Sequence, residues 1–562
     1  MDRKIAYWVA TAAAFVAGAF AFFIAINLTV NQLRLKSADP LNSPALEALR
    51  GELRGEPRNE SLKTEIRELD LLARKAYFSS LTFSNAGAWL LLGSLIITLS
   101  ALKIAAGISK RGPRPGKYEQ KDESLEFARQ ARESLLATLA IMAIVVLFVL
   151  LLSEKPVDFS SAETDEPLGR SEARTAELQE RMHLNWPAFR GHNGVGVAHY
   201  TNVPVAWNGK TGENVLWKKP VPRRGFSSPI VWDKKLFLTC ADEEAREVLC
   251  YDAVSGEMLW RREVGVVPGM PPELPDVSED TTYAAATAAT DGRFIFAIFG
   301  TGNIVCFDFE GEKQWVRHLV DVENIYGHAS SLITYRDLLF VQFDDSTEGR
   351  VFALDTTSGD TVWLARRELE PCWSSPIIAD AERGPQLVVA GNPFLMAYDP
   401  ASGEKLWEYE CLGGEVASSP AFADGMVFSA NEYAALTALK LAQPIKLAWE
   451  AFGELPDVSS PLATGERLFL ATGYGTLGCY DSASGELLWN LEFDEGFYSS
   501  PILVGDRVYL MDREGVMHIF RNADEYEQIA TCELGEAATS IPAIMDGRIY
   551  IRGVKSLFCI GE

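Results

Sequence analysis

A short pattern recurs along the C-terminal two thirds of this chain, and few folds accommodate it. It is a strand ending in an aromatic or aliphatic residue and Asp, a Gly-containing turn, and a second strand ending in Trp. It reads VLCYDAVSGEMLW to Trp260, IVCFDFEGEKQW to Trp315, VFALDTTSGDTVW to Trp363, LMAYDPASGEKLW to Trp407 and LGCYDSASGELLW to Trp489. A degenerate copy, LTALKLAQPIKLAW, ends at Trp449, and a further copy, MHIFRNADEYEQIA, has lost its Trp. The Asp-x-x-Ser-Gly segments carry turn chemistry between two strands.

A second unit precedes each of these. It is Ser-Ser-Pro followed by a β-rich run, at Ser227-Ser228-Pro229, Ser374-Ser375-Pro376, Ser418-Ser419-Pro420, Ser459-Ser460-Pro461 and Ser499-Ser500-Pro501. Variants are Ala285-Ala286-Thr287, Ser330-Ser331-Leu332 and Ser540-Ile541-Pro542. Counted at the third position, the eight copies are spaced by 58, 45, 44, 44, 41, 40 and 41 residues. A period of ~40–45 residues with four short strands per unit is the spacing of a β-propeller. The last copy ends at the C-terminus without an outer strand, and Trp217, 43 residues before Trp260, keeps the phase. The spacing therefore predicts an all-β, eight-bladed propeller over residues 182–562, closed by a strand around Trp217. Trp217, Trp260, Trp315, Trp363, Trp407, Trp449 and Trp489 read as packing residues that fill the wedge between neighbouring blades.

The A-x-D-x-x-[ST]-G-x-x-x-W pattern resembles the tryptophan-docking repeats of the pyrroloquinoline-quinone (PQQ)-like propellers. The segment Trp186-Pro187-Ala188-Phe189-Arg190-Gly191-His192-Asn193-Gly194 resembles the opening of such propellers from planctomycete-type bacteria. The family includes quinoprotein dehydrogenases, which hold PQQ and calcium over the axis. It also includes the β-barrel assembly lipoprotein of outer membranes, which binds partners only. Membrane-anchored PQQ-like proteins of unassigned role form a third group, so the resemblance implies the fold and does not by itself choose the activity.

The parts that the enzymatic relatives carry are not found. The eight Cys include no adjacent pair, no C-x-x-C-H occurs, and no long insertions separate the later blades. No Asn/Asp/Glu set matches a calcium site. No cofactor and no catalytic residue are therefore expected; PQQ with calcium belongs only to the alternative, a quinoprotein oxidoreductase of alcohols or sugars. Cys250, Cys306, Cys479 and Cys559 share one repeat position inside a strand and read as buried small apolar residues. The six His show no metal-ligand spacing.

The residues leading into each Ser-Ser-Pro are expected at the mouth of the central channel. They are Arg223, Arg224 and Phe226, Tyr326 and His328, Cys372 and Trp373, Glu415, Asp457, and Phe497 and Tyr498. Two readings stand: loop packing, or a ligand or peptide site on the axis. A loop at 265–282, rich in Pro and acids, adds to one rim.

The N-terminal third has a different character. Residues 5–33, 76–102 and 134–153 carry no charge, and each is long enough to cross a ~30 Å hydrocarbon layer as a helix. Three transmembrane helices are expected, at about 5–28, 84–104 and 135–153, in an anchor spanning 1–153. A leader cleaved near Ala19-Phe20-Ala21 is the alternative for the first segment. Between the first two spans, 43–75 reads as a helical hairpin, either a spacer or a docking element. Residues 154–181 read as a polar linker.

Charge sets the orientation. Seven Lys and Arg lie at 110–132, whereas the stretch after the third span is acidic. The basic loop and the N-terminus belong inside and the propeller outside, in the periplasm-like space of an inner membrane. Residues 182–562 hold 29 Lys and Arg against 55 Asp and Glu, a balance that excludes nucleic acid as a partner. The expected product is a membrane-anchored scaffold with a protein or peptide partner at the propeller rim or channel mouth.

Overall fold

The structure is a computed structural model, and it describes residues 180–562 together with Thr11, Phe15, Gly18, Phe20, Ala21, Ile24, Lys103 and Leu178. The expected membrane spans, the hairpin 43–75 and the linker 154–181 lie almost wholly outside the described residues. Among the described residues no helix is long and apolar enough to cross a membrane. The chain divides into two compact units, Met1–Arg170 and Ser171–Glu562.

The second unit is an eight-bladed propeller of antiparallel four-stranded sheets. Blade 1 consists of Ile230–Trp232, Lys235–Ala241, Arg246–Asp252 and Met258–Glu263, running from axis to rim. Blades 2 to 6 repeat this order. Blade 8 is built from Ala543–Met545, Arg548–Arg552 and Ser556–Ile560, and its outer strand is Val215–Pro220, contributed by the chain that enters the domain. Closure by the strand carrying Trp217 leaves no end blade open to pair with another chain. Blade 7 carries a fifth strand, Val197–Ala198, parallel to its innermost strand.

The outer strands alternate exposed and half-buried residues, and the second and third strands are buried almost throughout. This is what a wedge between two sheets requires: the middle strands face neighbours on both sides, the rim strand on one. The apolar core lies between blades. Phe237, Cys250 and Trp260 of blade 1, for instance, cluster with Ile295, Val305 and Phe307 of blade 2. Each such side chain removed from water contributes roughly 1.5–3 kcal/mol.

The rim tryptophans hold adjacent blades in register. In six of the seven the indole N–H reaches the turn of the next blade: Trp217 donates to the Ala253 carbonyl at 3.2 Å, Trp260 to Phe309 at 2.9 Å and Trp363 to Pro400 at 3.0 Å. Trp315, Trp449 and Trp489 do the same to Thr356, Ser482 and Ala523. Beneath the rings of Trp217, Trp260, Trp315, Trp363 and Trp449 lies a turn glycine. A Cβ on Gly256 would meet the Trp217 ring at 2.6 Å, and Gly256 has φ of +69°, so glycine is required twice over. Trp407 departs from the set and donates to Gln386 Oε1 at 2.7 Å; the turn it faces is the degenerate one, which lacks the Asp-x-x-Ser-Gly geometry. Blade 7 has Ala530 where the Trp is missing, and Trp207 of the incoming chain is buried in the apolar cluster that blades 7, 8 and 1 share.

At the axis, the second residue of each Ser-Ser-Pro bonds blade to blade. The Ser228 N–H donates to Thr287 Oγ1 at 2.9 Å, Thr287 N–H to Ser331 Oγ at 3.0 Å, and Ser331 N–H to Ser375 Oγ at 2.9 Å. The series continues from Ser375 to Ser419, Ser419 to Ser460, and Ser460 to Ser500 at 2.8–2.9 Å. Ile541 N–H closes it on Ser228 Oγ at 3.0 Å. Only the step from blade 7 to blade 8 is open, because Ile541 brings no hydroxyl. This circle corrects the repeat register in blade 2. Thr287 holds the second position, not the third, so the aligned triplet is Ala286-Thr287-Ala288.

Ser419→Ala should leave the buried Ser375 N–H without an acceptor and cost about 1–3 kcal/mol. Urea denaturation monitored by tryptophan fluorescence checks this; an unchanged midpoint would show that the circle contributes nothing to stability.

Candidate functional site

The opening segment runs inside the channel. Trp186 pairs with Val231 of blade 1, and the Pro187 carbonyl accepts from Thr290 of blade 2. Arg190 is fully buried; its guanidinium donates to the Pro461 carbonyl and, at 3.2 Å, to the Pro420 carbonyl. These are the prolines of two Ser-Ser-Pro triplets. Burial without a carboxylate partner pushes the Arg190 pKa down to about 9. Gly194 and Gly196 sit close to the prolyl carbonyls of blades 4 and 7. The segment thus bridges six of the eight blades and closes one end of the channel.

The other end is a cavity of about 400 Å³ on the axis. Its floor is the circle of hydroxyls, with Phe189 of the opening segment among them. Its walls include Phe226, Tyr326, Trp373 and Tyr498 from the residues that precede the Ser-Ser-Pro triplets. The Tyr326 and Trp373 rings meet edge to face at 4.8 Å. The Trp373 indole N–H donates to Asn324 Oδ1 at 2.9 Å and Gly327 O at 3.2 Å, which fixes its orientation. The Arg513 guanidinium lies 4.6 Å from the Tyr498 ring centroid.

Four carboxylates line the cavity: Asp280, Glu415, Glu432 and Asp457. Two accept from wall tyrosines, Glu415 from Tyr326 at 3.3 Å and Glu432 from Tyr474. Burial and the neighbouring Glu415 raise the Tyr326 pKa, and the hydrogen bond to Glu432 raises that of Tyr474. Asp457 accepts from the Gly473 N–H at 2.7 Å. No Lys, Arg or His is among the lining residues.

The other residues expected at the mouth are placed elsewhere. Arg223 is engaged by Asp242 and Glu247, and the exposed Arg224 does not line the cavity. Phe497 is buried against Phe493 and His518. His328 is buried, stacks on Phe343 at 4.6 Å, and its Nε2 lies 3.0 Å from the Ser330 carbonyl. Tyr433, Tyr474 and Glu432 were not expected there. They come from loops between the second and third strands of blades 5 and 6, which lie on the same face as the Ser-Ser-Pro leads. The 265–282 loop reaches the cavity through Asp280 and Thr281, the latter bonded to the Tyr326 carbonyl.

All eight cysteines are free, and seven of them are buried. Burial pushes the Cys250, Cys479 and Cys559 thiols up to about 12, so they stay protonated and unreactive.

A family model described as outer membrane protein assembly factor BamB matches residues 157–321, 347–459 and 446–525. Those residues make up more than half of the chain. The chain belongs to this PQQ-like propeller family. Among solved structures, BamB from Moraxella catarrhalis is similar at 15% identity over 62% of this chain and 97% of that one, with a TM-score of 0.47. The quinohemoprotein alcohol dehydrogenase ADHIIG from Pseudomonas putida HK5 is similar at 12% identity over 69% and 81%, with a TM-score of 0.48. A europium-containing methanol dehydrogenase is similar at 13% identity over 62% and 91%, with a TM-score of 0.37. No curated protein matches the chain.

His328 is held neutral, its pKa pushed down from 6.5 to about 4 by burial. The unfolded chain therefore binds more protons between those values, and stability falls as pH drops through that window. The loss from this group alone approaches about 3 kcal/mol. His328→Phe keeps the stack on Phe343 and should flatten the decline between pH 6.5 and 4. Urea midpoints at pH 7 and 4.5 measure it; parallel declines in both proteins would assign the acid sensitivity to other groups.

Proposed function

We propose that this propeller is a non-enzymatic binding scaffold, with the axial cavity as its ligand site. One observation carries this reading: the channel is closed at one end by its own opening segment, which turns a pore into a pocket. The volume, about 400 Å³, falls within the ~300–1,000 Å³ range usual for ligand sites. Aromatic walls supply contact area, and fixed polar groups supply orientation.

A bound quinone is disfavoured by the donor set. PQQ is a tricarboxylate, and a site for it needs cationic side chains. The cavity offers four carboxylates and hydroxyls instead. Like charges in a confined, partly desolvated site repel strongly. No group of three or more His, Cys, Asp or Glu among the described residues is arranged to hold a metal ion. We therefore derive no oxidoreductase chemistry.

The anchor belongs to the same proposal. Three uncharged N-terminal segments with a basic loop between the second and third would hold the propeller on the outer face of an inner membrane. Cysteines introduced at Gly116 and Ser160 test this. In intact cells an impermeant maleimide should label S160C and not G116C, against a low background from the buried native thiols; the reverse pattern would invert the topology.

A photo-crosslinking amino acid tests the site. Placed at Tyr498 in the cavity wall, it should yield a discrete adduct in native membranes. Placed at Leu487, on an outer strand and 46% exposed, it should not. Equal adducts at both positions, or none at Tyr498, would count against the cavity.

A further inference from the structure

We infer that the cavity takes a cationic side chain, lysine or arginine, presented by a partner polypeptide. This rests on the reading of the cavity as a binding site and adds the chemical class of what enters it. The walls combine two features that together select cations. Aromatic faces attract a positive charge through the ring quadrupole, most strongly where water is excluded. Carboxylates offer hydrogen-bond acceptors and opposite charge at the same place. Glu415 and Glu432 are each oriented by a tyrosine O–H, yet a carboxylate has about four acceptor positions, so each keeps capacity for an incoming N–H. The hydroxyls of the floor accept as well as donate.

The protein's own cations do not fill this role. The Arg190 guanidinium is held on the Pro420 and Pro461 carbonyls. Arg513 contacts the Tyr498 ring, which shows an aromatic wall residue engaging a guanidinium within this fold. The carboxylates of the cavity are left without a basic side chain among its lining residues.

The rim argues for a polypeptide over a free amine. Tyr433 is 67% exposed, Tyr474 61%, Val458 36%, and Ile325, next to Tyr326, 69%. An aromatic and aliphatic collar around a polar socket is the arrangement in which a partner's backbone and neighbouring side chains cover the rim while one long side chain enters. The aliphatic stem of Lys or Arg suits such a socket, apolar along its length and charged at its tip.

The test uses the full-length protein in detergent and three fluorescein-labelled peptides, hexalysine, hexaserine and hexaglutamate, read by anisotropy. Hexalysine should bind saturably, and hexaserine and hexaglutamate should not. The triple variant Glu415→Gln, Glu432→Gln, Asp457→Asn should weaken hexalysine about tenfold or more, as should Tyr433→Ala with Tyr474→Ala. Because the propeller is acidic throughout, a charge-matched variant, Glu257→Gln, Glu404→Gln, Glu486→Gln on the exposed outer turns, is the control and should retain the affinity. If the outer-turn variant loses as much as the cavity variant, the binding is diffuse electrostatics and the inference falls. If hexaserine or hexaglutamate binds instead, and loses affinity in the tyrosine variant, the cavity is a binding site but not for cations. If no peptide depends on cavity residues and no adduct forms at Tyr498, the inference and the binding-site reading fall together.

Discussion

The hydrogen bond from a backbone N–H of one blade to the hydroxyl of the next is the constraint on which this propeller turns. A propeller narrows toward its axis, and there the innermost strands come too close for large side chains yet expose backbone donors that belong to no sheet. A buried N–H without a partner costs about 1–3 kcal/mol. A serine in the lead of six innermost strands, and Thr287 in blade 2, answer that need with a short side chain. Seven of these bonds run head to tail around the circle. The geometry works only if each blade stands at the same angle to the next, so the circle sets the pitch for the whole ring.

The rim solves the opposite problem. There the blades diverge, and the gap needs volume. Tryptophan supplies it, and its N–H finds a carbonyl of the next turn. Inner and outer devices are coupled through the blade between them. The glycine under five of the docked indoles and the hydroxyl at seven of the eight axial steps are two ends of one angular specification. Where one end is degenerate, the other persists: the fifth blade has lost the turn that Trp407 would meet, yet Ser375 still donates to Ser419 Oγ at 2.9 Å.

The blade count, the closing strand and the packing role of the rim tryptophans were legible in the sequence because they repeat locally, whereas the glycine beneath each docked ring emerged only from the structure. The axial circle was visible only as a recurring Ser-Ser-Pro. Its chemistry was hidden because six of the bonds join residues 40–59 positions apart and the closing one joins residues 313 apart, and a one-residue shift of register in blade 2 hid the equivalence of Thr287 and serine. For the cavity, the residues before each triplet located Phe226, Tyr326, Trp373 and Tyr498. The same rule admitted His328 and Phe497, which are packed into neighbouring loops, because a lead segment alternates inward and outward and spacing alone does not say which residue faces the axis. Tyr433 and Tyr474 lie on loops that carry no shared motif, and nothing in their sequence announces that they share a face with Tyr326. The buried path of Arg190 was also invisible. A charged residue in a segment read as an opening flourish gives no sign that prolyl carbonyls from two distant blades will hold it.

The negative charge of the domain takes on a more specific meaning in this setting. Residues 182–562 carry 29 Lys and Arg against 55 Asp and Glu, and most surface carboxylates serve solubility and repel anionic surfaces. They also create a long-range field that draws cations toward the domain, falling off over about 8–10 Å at physiological salt. The axial carboxylates differ in kind. Gathered with aromatic rings around one cavity, Asp280 and Glu415 exposed and Glu432 and Asp457 half-buried, they act on an entering group at hydrogen-bond range. An acidic exterior alone collects basic partners without choosing among them. A closed-ended socket that admits one side chain at a time adds the geometric selection that the field lacks. The opening segment makes that possible, since without its closure of the channel the same residues would line a solvated pore.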